Sequence, residues 1–167
     1  MGKILETERL ILRTWTYADA ERLFEICSDA ETMFHIGDRK AYESIERAKE
    51  FLNWAIPYQL KMGFSRWAVV EKQSGEIIGS CGFARLETAE IEFGYLFARQ
   101  VWGNGFATEA AQACLKYGFE EIGFEKIVAL TDLDHEKSQN VLRKIGFYER
   151  GIEKTEDGDD LVFEIKL

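Results

Sequence analysis

The sequence predicts a single α/β domain over residues 1–167, with a mixed, largely antiparallel sheet of about seven strands flanked by about four helices. Apolar residues make up 46% of the 167 residues, which is enough for one buried core. Short segments with strand-like apolar patterns alternate with longer ones that repeat apolar residues at helical spacing. The sequence contains no internal repeat or low-complexity linker that would divide it.

Strand-like and helix-like segments follow one another along the chain. Residues 29–40 form a loop between the first two helices, and Pro57 is expected to kink or interrupt the second helix. Turn residues at 73–76 and 156–159 join neighbouring strands. In chain order we predict a strand over 4–13, a helix from a capping-box pattern at Thr16 and Asp19, a helix over 44–62, strands over 67–72, 77–86 and 90–97, a helix over 106–122, a strand over 127–133, a helix over 137–145, and strands over 147–152 and 161–167.

Charge and cysteine content narrow the class of protein. The net charge is −9, which opposes binding to nucleic-acid phosphates and favours cationic small molecules or basic peptides. Cys27, Cys81 and Cys114 lie among apolar neighbours without the spacing of a metal site, which predicts buried free thiols in a reducing compartment. No apolar run reaches the roughly 20 residues of a membrane span. We therefore expect a cytoplasmic protein with neither nucleic acid nor membrane as a partner.

The most informative stretch is residues 93–110, where an apolar strand leads through a glycine turn into an alanine-rich helix. Gly103 and Gly105 let the backbone approach an anion closely. The free N–H groups of the first helical turn add a positive partial charge of about half a unit. This arrangement predicts a phosphorylated, nucleotide-like cofactor.

Five motifs in a fixed order resemble the GNAT acetyltransferase superfamily, and within it the branch of ribosomal-protein N-terminal acetyltransferases. The resemblance covers nearly the whole chain. It implies a GNAT domain with splayed central strands, acetyl-CoA as co-substrate, no metal, and direct acetyl transfer to an amine without an acyl-enzyme. The motifs are LETERLILR at 5–13, Ile78-Gly79, EFGY at 92–95, WGNGFATEA at 102–110, and Ser138 with Val141, Leu142, Lys144, Gly146 and Phe147.

The family's diphosphate-binding signature fits this chain in two registers. One uses Gln100 with Gly103 and Gly105, and the other uses Trp102 with Gly105 and Ala107. We prefer the second, because it starts the helix at Phe106. By resemblance, the pantetheine arm lies along the preceding strand, and His135 replaces an asparagine that commonly contacts it. The implied cofactor-binding residues are Tyr95, Leu96, Phe97, Trp102, Gly103, Asn104, Gly105, Phe106, Ala107, Thr108, His135, Ser138 and Lys144.

Two residues are implied as catalytic. Deprotonating the acceptor at pH 7 costs about 4.6 kcal/mol for a lysine-like amine and about 1.1 kcal/mol for an α-amine, from their reference pKa values. Glu92 matches a glutamate that this branch can use as the base, directly or through a water. Many relatives protonate the leaving thiolate with a tyrosine at the position of Leu142, so Ser138 becomes the candidate donor.

The acceptor is less well defined. A protein N-terminus fits the branch, and a small cationic amine fits the acidic charge. A homodimer is compatible with the sequence. The candidate acceptor-binding residues are Phe34, His35, Tyr42, Trp54 and Glu92.

Two other functions stay open at this point. An acyl-CoA-binding regulatory domain that has lost turnover would explain the missing tyrosine and the altered asparagine. A dinucleotide-dependent oxidoreductase is suggested by the partial Gly-x-Gly-x-x-Gly pattern at 103–108. The antiparallel meander before this turn argues against it, since a Rossmann sheet needs several βα repeats.

Overall fold

The computed structural model describes residues 2–167; Met1, the first residue of the predicted domain, lies outside them. One mixed sheet has the strand order β1-β2-β3-β4-β5-β6-β8-β7. Its strands are β1 Lys3–Glu6, β2 Leu10–Arg13, β3 Arg66–Glu71, β4 Ile77–Arg85, β5 Ile91–Phe97, β6 Lys126–Asp132, β7 Tyr148–Thr155 and β8 Gly158–Lys166. The α-helices are α1 Ala20–Cys27, α2 Ala30–Met33, α3 Ile45–Met62, α4 Phe106–Tyr117 and α5 Glu136–Lys144.

The predicted mixed, largely antiparallel α/β fold is confirmed, with one more strand and one more helix than expected. The predicted strand over 4–13 turns back on itself, and Glu6 pairs with Ile11 across the turn. The extra helix, α2, is a single turn within the predicted loop, and Asp29 caps it by accepting a hydrogen bond from the Thr32 amide at 2.9 Å. Short elements of this kind lack a full period of apolar residues, so the pattern does not reveal them.

Of the two effects expected of Pro57, a kink or an interruption of the helix, the interruption does not occur. The helix continues for another turn and ends at Gly63, which has the left-handed φ of 79° typical of a helix C-terminus. Proline removes one backbone donor, while Tyr58 and Met62, which follow it on the same helix, pack against the buried apolar cluster. Burial therefore maintains the helix beyond the proline.

Helices cover both faces of the sheet and enclose two apolar clusters. On one face α4 packs through Ala110 and Cys114 against Trp67 and Phe83, and on the other α1 and α3 pack against Ala68 and its neighbours. All three cysteines are buried and free, as predicted, and Cys81 Sγ lies 3.4 Å from Cys114 Sγ. No helix within residues 2–167 combines the length and apolar character needed to cross a bilayer.

The centre of the sheet opens between β5 and β6. Over the described residues, these two parallel strands share one register pair, Glu92 with Val128, whereas β4 and β5 pair along their whole length from Gly79 to Arg85. The edge of β5 that faces β6 beyond Glu92 is therefore free of strand pairing. This is the predicted splay of the central strands.

An ion-pair cluster holds the other end of these strands together. Arg150 on β7 contacts Glu90, just before β5, at 2.6 Å and Glu164 on β8 at 3.0 Å. Lys126, the first residue of β6, lies 3.1 Å from Glu90. Hydrogen bonds from Arg150 lower the pKa of Glu90 to about 2, and hydrogen bonds from Tyr148 and Arg150 lower the pKa of Glu164 to about 2. The cluster thus fixes the closed end of the gap.

Arg150→Met should lower the melting temperature at pH 7, with a loss that disappears in acid. Both carboxyl groups have folded-state pKa values depressed from an ordinary 4.5, so their stabilisation is fully present above pH 4.5 and is lost as pH falls toward about 2. Thermal unfolding of wild type and variant from pH 7 to pH 2 measures this. A difference that stays constant over that range would show that the contribution of Arg150 does not depend on these carboxylates.

Candidate active site

The glycine turn forms an elbow, residues 102–105, that presents the first turn of α4. Gly103 and Gly105 have φ values of 79° and 78°, which L-residues with side chains rarely adopt. Helix α4 begins at Phe106, as predicted, and the first amide bonded within the helix is that of Glu109, 3.1 Å from the Gly105 carbonyl. The amides of residues 106–108 precede that bond and can donate to an anion.

Arg9, in the turn between β1 and β2, braces this elbow. Its Nε donates to Glu109 Oε2 at 2.6 Å and its Nη1 to the Asn104 carbonyl at 2.8 Å, while the guanidinium lies 4.4 Å from the Phe106 ring centroid. Thr7 also donates to Glu109. Burial alone would raise the pKa of Glu109, but hydrogen bonds from Thr7 and Arg9 lower it, so the carboxylate stays charged and keeps the brace.

A cavity of about 390 Å³ runs from the elbow along β5 to the start of α5. Most of the predicted cofactor-binding residues line it. Of the others, Asn104 donates its side-chain amide to the Val101 carbonyl at 2.9 Å and so shapes the elbow from outside, and Lys144 lies outside the walls. The predicted residues in the walls are Tyr95, Leu96, Phe97, Trp102, Gly103, Gly105, Phe106, Ala107, Thr108, His135 and Ser138.

A second cavity, of about 130 Å³, occupies the gap between β5 and β6. Of the predicted acceptor-binding residues, Glu92 and His35 line it. Phe34 packs edge-on against His35 from outside the walls. Tyr42 and Trp54 also lie outside: Tyr42 is beneath the Arg47 guanidinium, and Trp54 stacks with Tyr58 on α3.

The two cavities share part of their walls, at Tyr95, Ser138, His35 and His135. The hydroxyl oxygens of Tyr95 and Ser138 lie 3.1 Å apart. Burial raises the pKa of Tyr95 above its usual value, so its hydroxyl remains a proton donor at neutral pH. Leu142, at the position where relatives carry tyrosine, is buried in the core. Tyr95 on β5 thus brings a phenol beside Ser138 on α5.

Glu92 forms an ion pair inside the second cavity. Arg66 Nη2 donates to Glu92 Oε2 at 2.8 Å, and 22% of the Glu92 side chain is exposed. A Cβ atom at Gly94 would lie 2.1 Å from Arg66 Nη1, so glycine at this position makes room for the guanidinium. The carboxylate is therefore oriented by Arg66 and still reaches the cavity.

A cluster of charged groups surrounds His35, which lines both cavities. His35 Nδ1 is 2.6 Å from Asp132 Oδ2, Asp134 lies 3.9 Å from the same nitrogen, and Arg39 Nη2 is 2.7 Å from Asp132 Oδ1. The potential ligand atoms of His35, Asp132 and Asp134 lie within 4.8 Å of one another. Because the Arg39 guanidinium would repel a cation here, we assign no metal to this cluster.

The basic residues near the donor cavity differ in what they contact. Lys137 lines the cavity with its ammonium 5.7 Å from the Trp102 ring centroid. Arg99 pairs with Asp29 at 3.0 Å, and Arg143 pairs with Glu149. Lys137 is thus the better placed cation for a phosphate group.

Comparisons with known proteins identify the family and give the same fold. The family described as Acetyltransferase (GNAT) domain matches residues 9–148. The uncharacterized N-acetyltransferase YoaA of Bacillus subtilis is 38% identical over 155 residues, which cover 91% of this chain and 86% of YoaA. A GNAT-family acetyltransferase from Bacillus anthracis superposes with a TM-score of 0.83 at 26% identity, covering 96% of each chain. The ribosomal L7/L12 α-N-protein acetyltransferase RimL, solved with coenzyme A, has the same fold, with a TM-score of 0.87, 16% identity, and coverage of 99% of this chain and 98% of RimL.

The fold and the matching family define a CoA-dependent acyltransferase. The chain belongs to the GNAT acetyltransferase family. It is accordingly an acetyl-CoA-dependent N-acyltransferase.

Sequence reasoning missed several residues of the site. It assigned Tyr95 to the cofactor strand and did not consider its hydroxyl, and it gave no part to Arg66 or Asp132. Arg9 was quoted only as part of a motif. Its place in that motif was the one available signal, because the turn that positions it lies inside the single strand predicted over 4–13.

Proposed function

We propose that this protein transfers the acetyl group of acetyl-CoA to a primary amine, which is either a protein N-terminus or a small cationic amine, by direct attack in the gap between β5 and β6. One observation carries the proposal: the cavity that begins at the elbow and the cavity that contains Glu92 meet at Tyr95 and Ser138. Donor and acceptor can therefore approach one point from two directions.

On the donor side, the backbone does most of the binding. The amides of residues 106–108 hold the diphosphate, and each hydrogen bond to the charged group contributes about 1.5–3 kcal/mol. The free edge of β5 pairs with the pantetheine arm in the manner of an added strand. This places the thioester near Ser138.

On the acceptor side, Glu92 attracts the ammonium group and receives its proton, directly or through a water. The neutral amine attacks the thioester carbonyl carbon, and the C–S bond then breaks. Ser138, in contact with the Tyr95 hydroxyl at 3.1 Å, donates a proton to the departing thiolate. The acylated nitrogen must still lose one proton, and this proton restores the Ser138 hydroxyl, so the step balances.

An acceptor screen tests the proposal. Purified protein with acetyl-CoA is offered spermidine, kanamycin, L-lysine, and peptides that begin with alanine or serine, and mass spectrometry detects the acetylated product. We expect acetylation of at least one of these amines at a rate well above acetyl-CoA hydrolysis. Tight acetyl-CoA binding without any acetylated product would instead favour the regulatory-domain alternative.

Ser138→Ala should lower kcat about tenfold to a hundredfold and leave the KM for acetyl-CoA nearly unchanged, because the lost proton donor acts after binding. Steady-state kinetics with the amine identified by the screen measure both constants. Tyr95→Phe should reduce kcat in the same direction, and the double variant should be no slower than the slower single variant if the two hydroxyls form one relay.

Ser28→Ala is the control for Ser138→Ala, since Ser28 is an exposed serine at the end of α1. It should keep full activity. A Ser138→Ala enzyme with wild-type kcat would remove Ser138 from the mechanism.

A further inference from the structure

His35 lies in a loop, in the wall that the two cavities share, and its ring is anchored more firmly than a loop position requires. Its Nδ1 lies 2.6 Å from Asp132 Oδ2, and Asp132, at the end of β6, is only 8% exposed. Arg39 Nη2 fixes the second carboxylate oxygen at 2.7 Å. A loop histidine on the surface would have no need of a buried and independently anchored carboxylate.

The hydrogen bond to Asp132 determines which ring nitrogen can react. A carboxylate only accepts, so the proton of neutral His35 lies on Nδ1 and the lone pair lies on Nε2. The same arrangement orients the base in His–Asp pairs of hydrolytic enzymes, where the carboxylate fixes the tautomer and the ring.

The groups around the ring favour His35 as the proton-accepting histidine. The His135 ring stacks on it with centroids 3.9 Å apart and planes 10° apart. Burial, and then the positive charge of His35, lower the pKa of His135 to about 4, so His135 is neutral at pH 7. The other charged groups facing the pair are Asp132 and Asp134 from the end of β6, Arg39 from the loop, and Lys137 from α5.

Glu92, which lines the second cavity together with His35, has a different environment from His35. Its carboxylate is already paired with Arg66 through Oε2. A proton that reaches Glu92 or a cavity water must leave before the next turnover. His35 lines the same cavity and also the cavity that opens at the elbow.

We propose that His35, positioned by Asp132, is the terminal base for the acceptor amine: its Nε2 takes the proton that the ammonium group releases by way of Glu92 or a water. The N–H bond of the ammonium breaks and an N–H bond forms on the imidazole. The imidazolium then returns this proton to solvent. The inference rests on the proposed function and extends it, with His35 as a catalytic residue and Asp132 as a positioning residue.

His35→Gln tests the proposal in the purified full-length protein, with the amine acetylated fastest in the panel above. We expect kcat to fall about 30-fold or more, with the KM for acetyl-CoA within twofold of wild type. The wild-type profile of kcat against pH should have a rising limb that is absent in the variant. Lys40→Gln, an exposed change in the same loop, should behave as wild type.

Two further variants separate chemistry from folding. Added imidazole should restore activity to His35→Ala at least fivefold and should not accelerate wild type, a rescue that a purely structural role would not give. Asp132→Asn should lower kcat and alter the pH profile, because the amide can stabilise the other tautomer. Melting temperatures identify any variant that fails to fold. If a His35 variant fails to fold, His35→Asn replaces it.

The outcomes distinguish this inference from the function on which it rests. If His35→Gln kept wild-type kcat and an unchanged pH profile while Glu92→Gln lost activity, His35 would have no part as a base and the acetyltransferase proposal would stand. Loss of activity in His35→Ala without imidazole rescue, and without any change in the pH limb, would also overturn the inference. If wild type acetylated none of the amines, the proposed function would fail and the inference with it.

Discussion

Gly105→Val should weaken acetyl-CoA binding by about 100-fold, which corresponds to losing one or two charge-assisted hydrogen bonds. Gly105 has a φ of 78° immediately before α4, and a β-branched residue is a strong outlier in that region. The backbone must therefore rearrange, and the amides of residues 106–108 lose their common direction. Isothermal titration calorimetry with acetyl-CoA measures the change.

Gly123→Val is the matched control. Gly123 also has a left-handed φ, of 85°, is exposed, and has open space around its Cβ position, but it lies after α4 and outside both cavities. It should suffer a similar loss of stability and bind acetyl-CoA as wild type does. Equal effects of the two substitutions on affinity would mean that backbone strain alone, and not the elbow, explains the loss.

Glu92→Gln should lower kcat about 100-fold, while acetyl-CoA affinity stays within twofold of wild type. Glutamine has the same shape and can still accept a hydrogen bond from Arg66, so the fold of the gap is preserved. It cannot take a proton from the acceptor or balance its charge, and loss of a general base typically reduces the rate by 10²–10⁴. The KM for the acceptor should rise as well if the ammonium group binds at this carboxylate.

Glu87→Gln removes the same charge from an exposed turn and should leave both constants unchanged. The comparison excludes a general effect of net charge. A Glu92→Gln enzyme that turned over at the wild-type rate at pH 7 would remove Glu92 as a required proton acceptor. The acceptor would then either bind already deprotonated, as an α-amine can at modest cost, or lose its proton through a water.

The local parts of the site could be predicted from sequence. The start of α4 at Phe106 and the positive φ at Gly103 and Gly105 follow from glycines placed between an apolar run and an alanine-rich one. The capping box at Thr16 and Asp19 could also be predicted, because both of its partners lie within four residues of each other in the sequence.

The side-chain pairs that complete the site could not be predicted in this way. Arg9 and Glu109 are 100 residues apart, His35 and Asp132 are 97 apart, and Tyr95 and Ser138 are 43 apart. No period or motif in one sequence relates such positions, because their contact depends on strand order and on the splay of β5 from β6. These pairings therefore had to come from the structure, whereas most of the first cavity's wall had already been named from the motifs.

The brace at Arg9 has a consequence for how this protein can change over time. One guanidinium bonds the Asn104 carbonyl and the Glu109 carboxylate and covers the Phe106 ring, so it ties the N-terminal turn to the start of α4. Replacing Arg9 would leave Glu109 without its charge partner and the Asn104 carbonyl without this donor, so a substitution at one of these positions affects the others. Substitutions in the wall of the second cavity touch none of these contacts, so that wall can change while the turn and the start of α4 stay as they are.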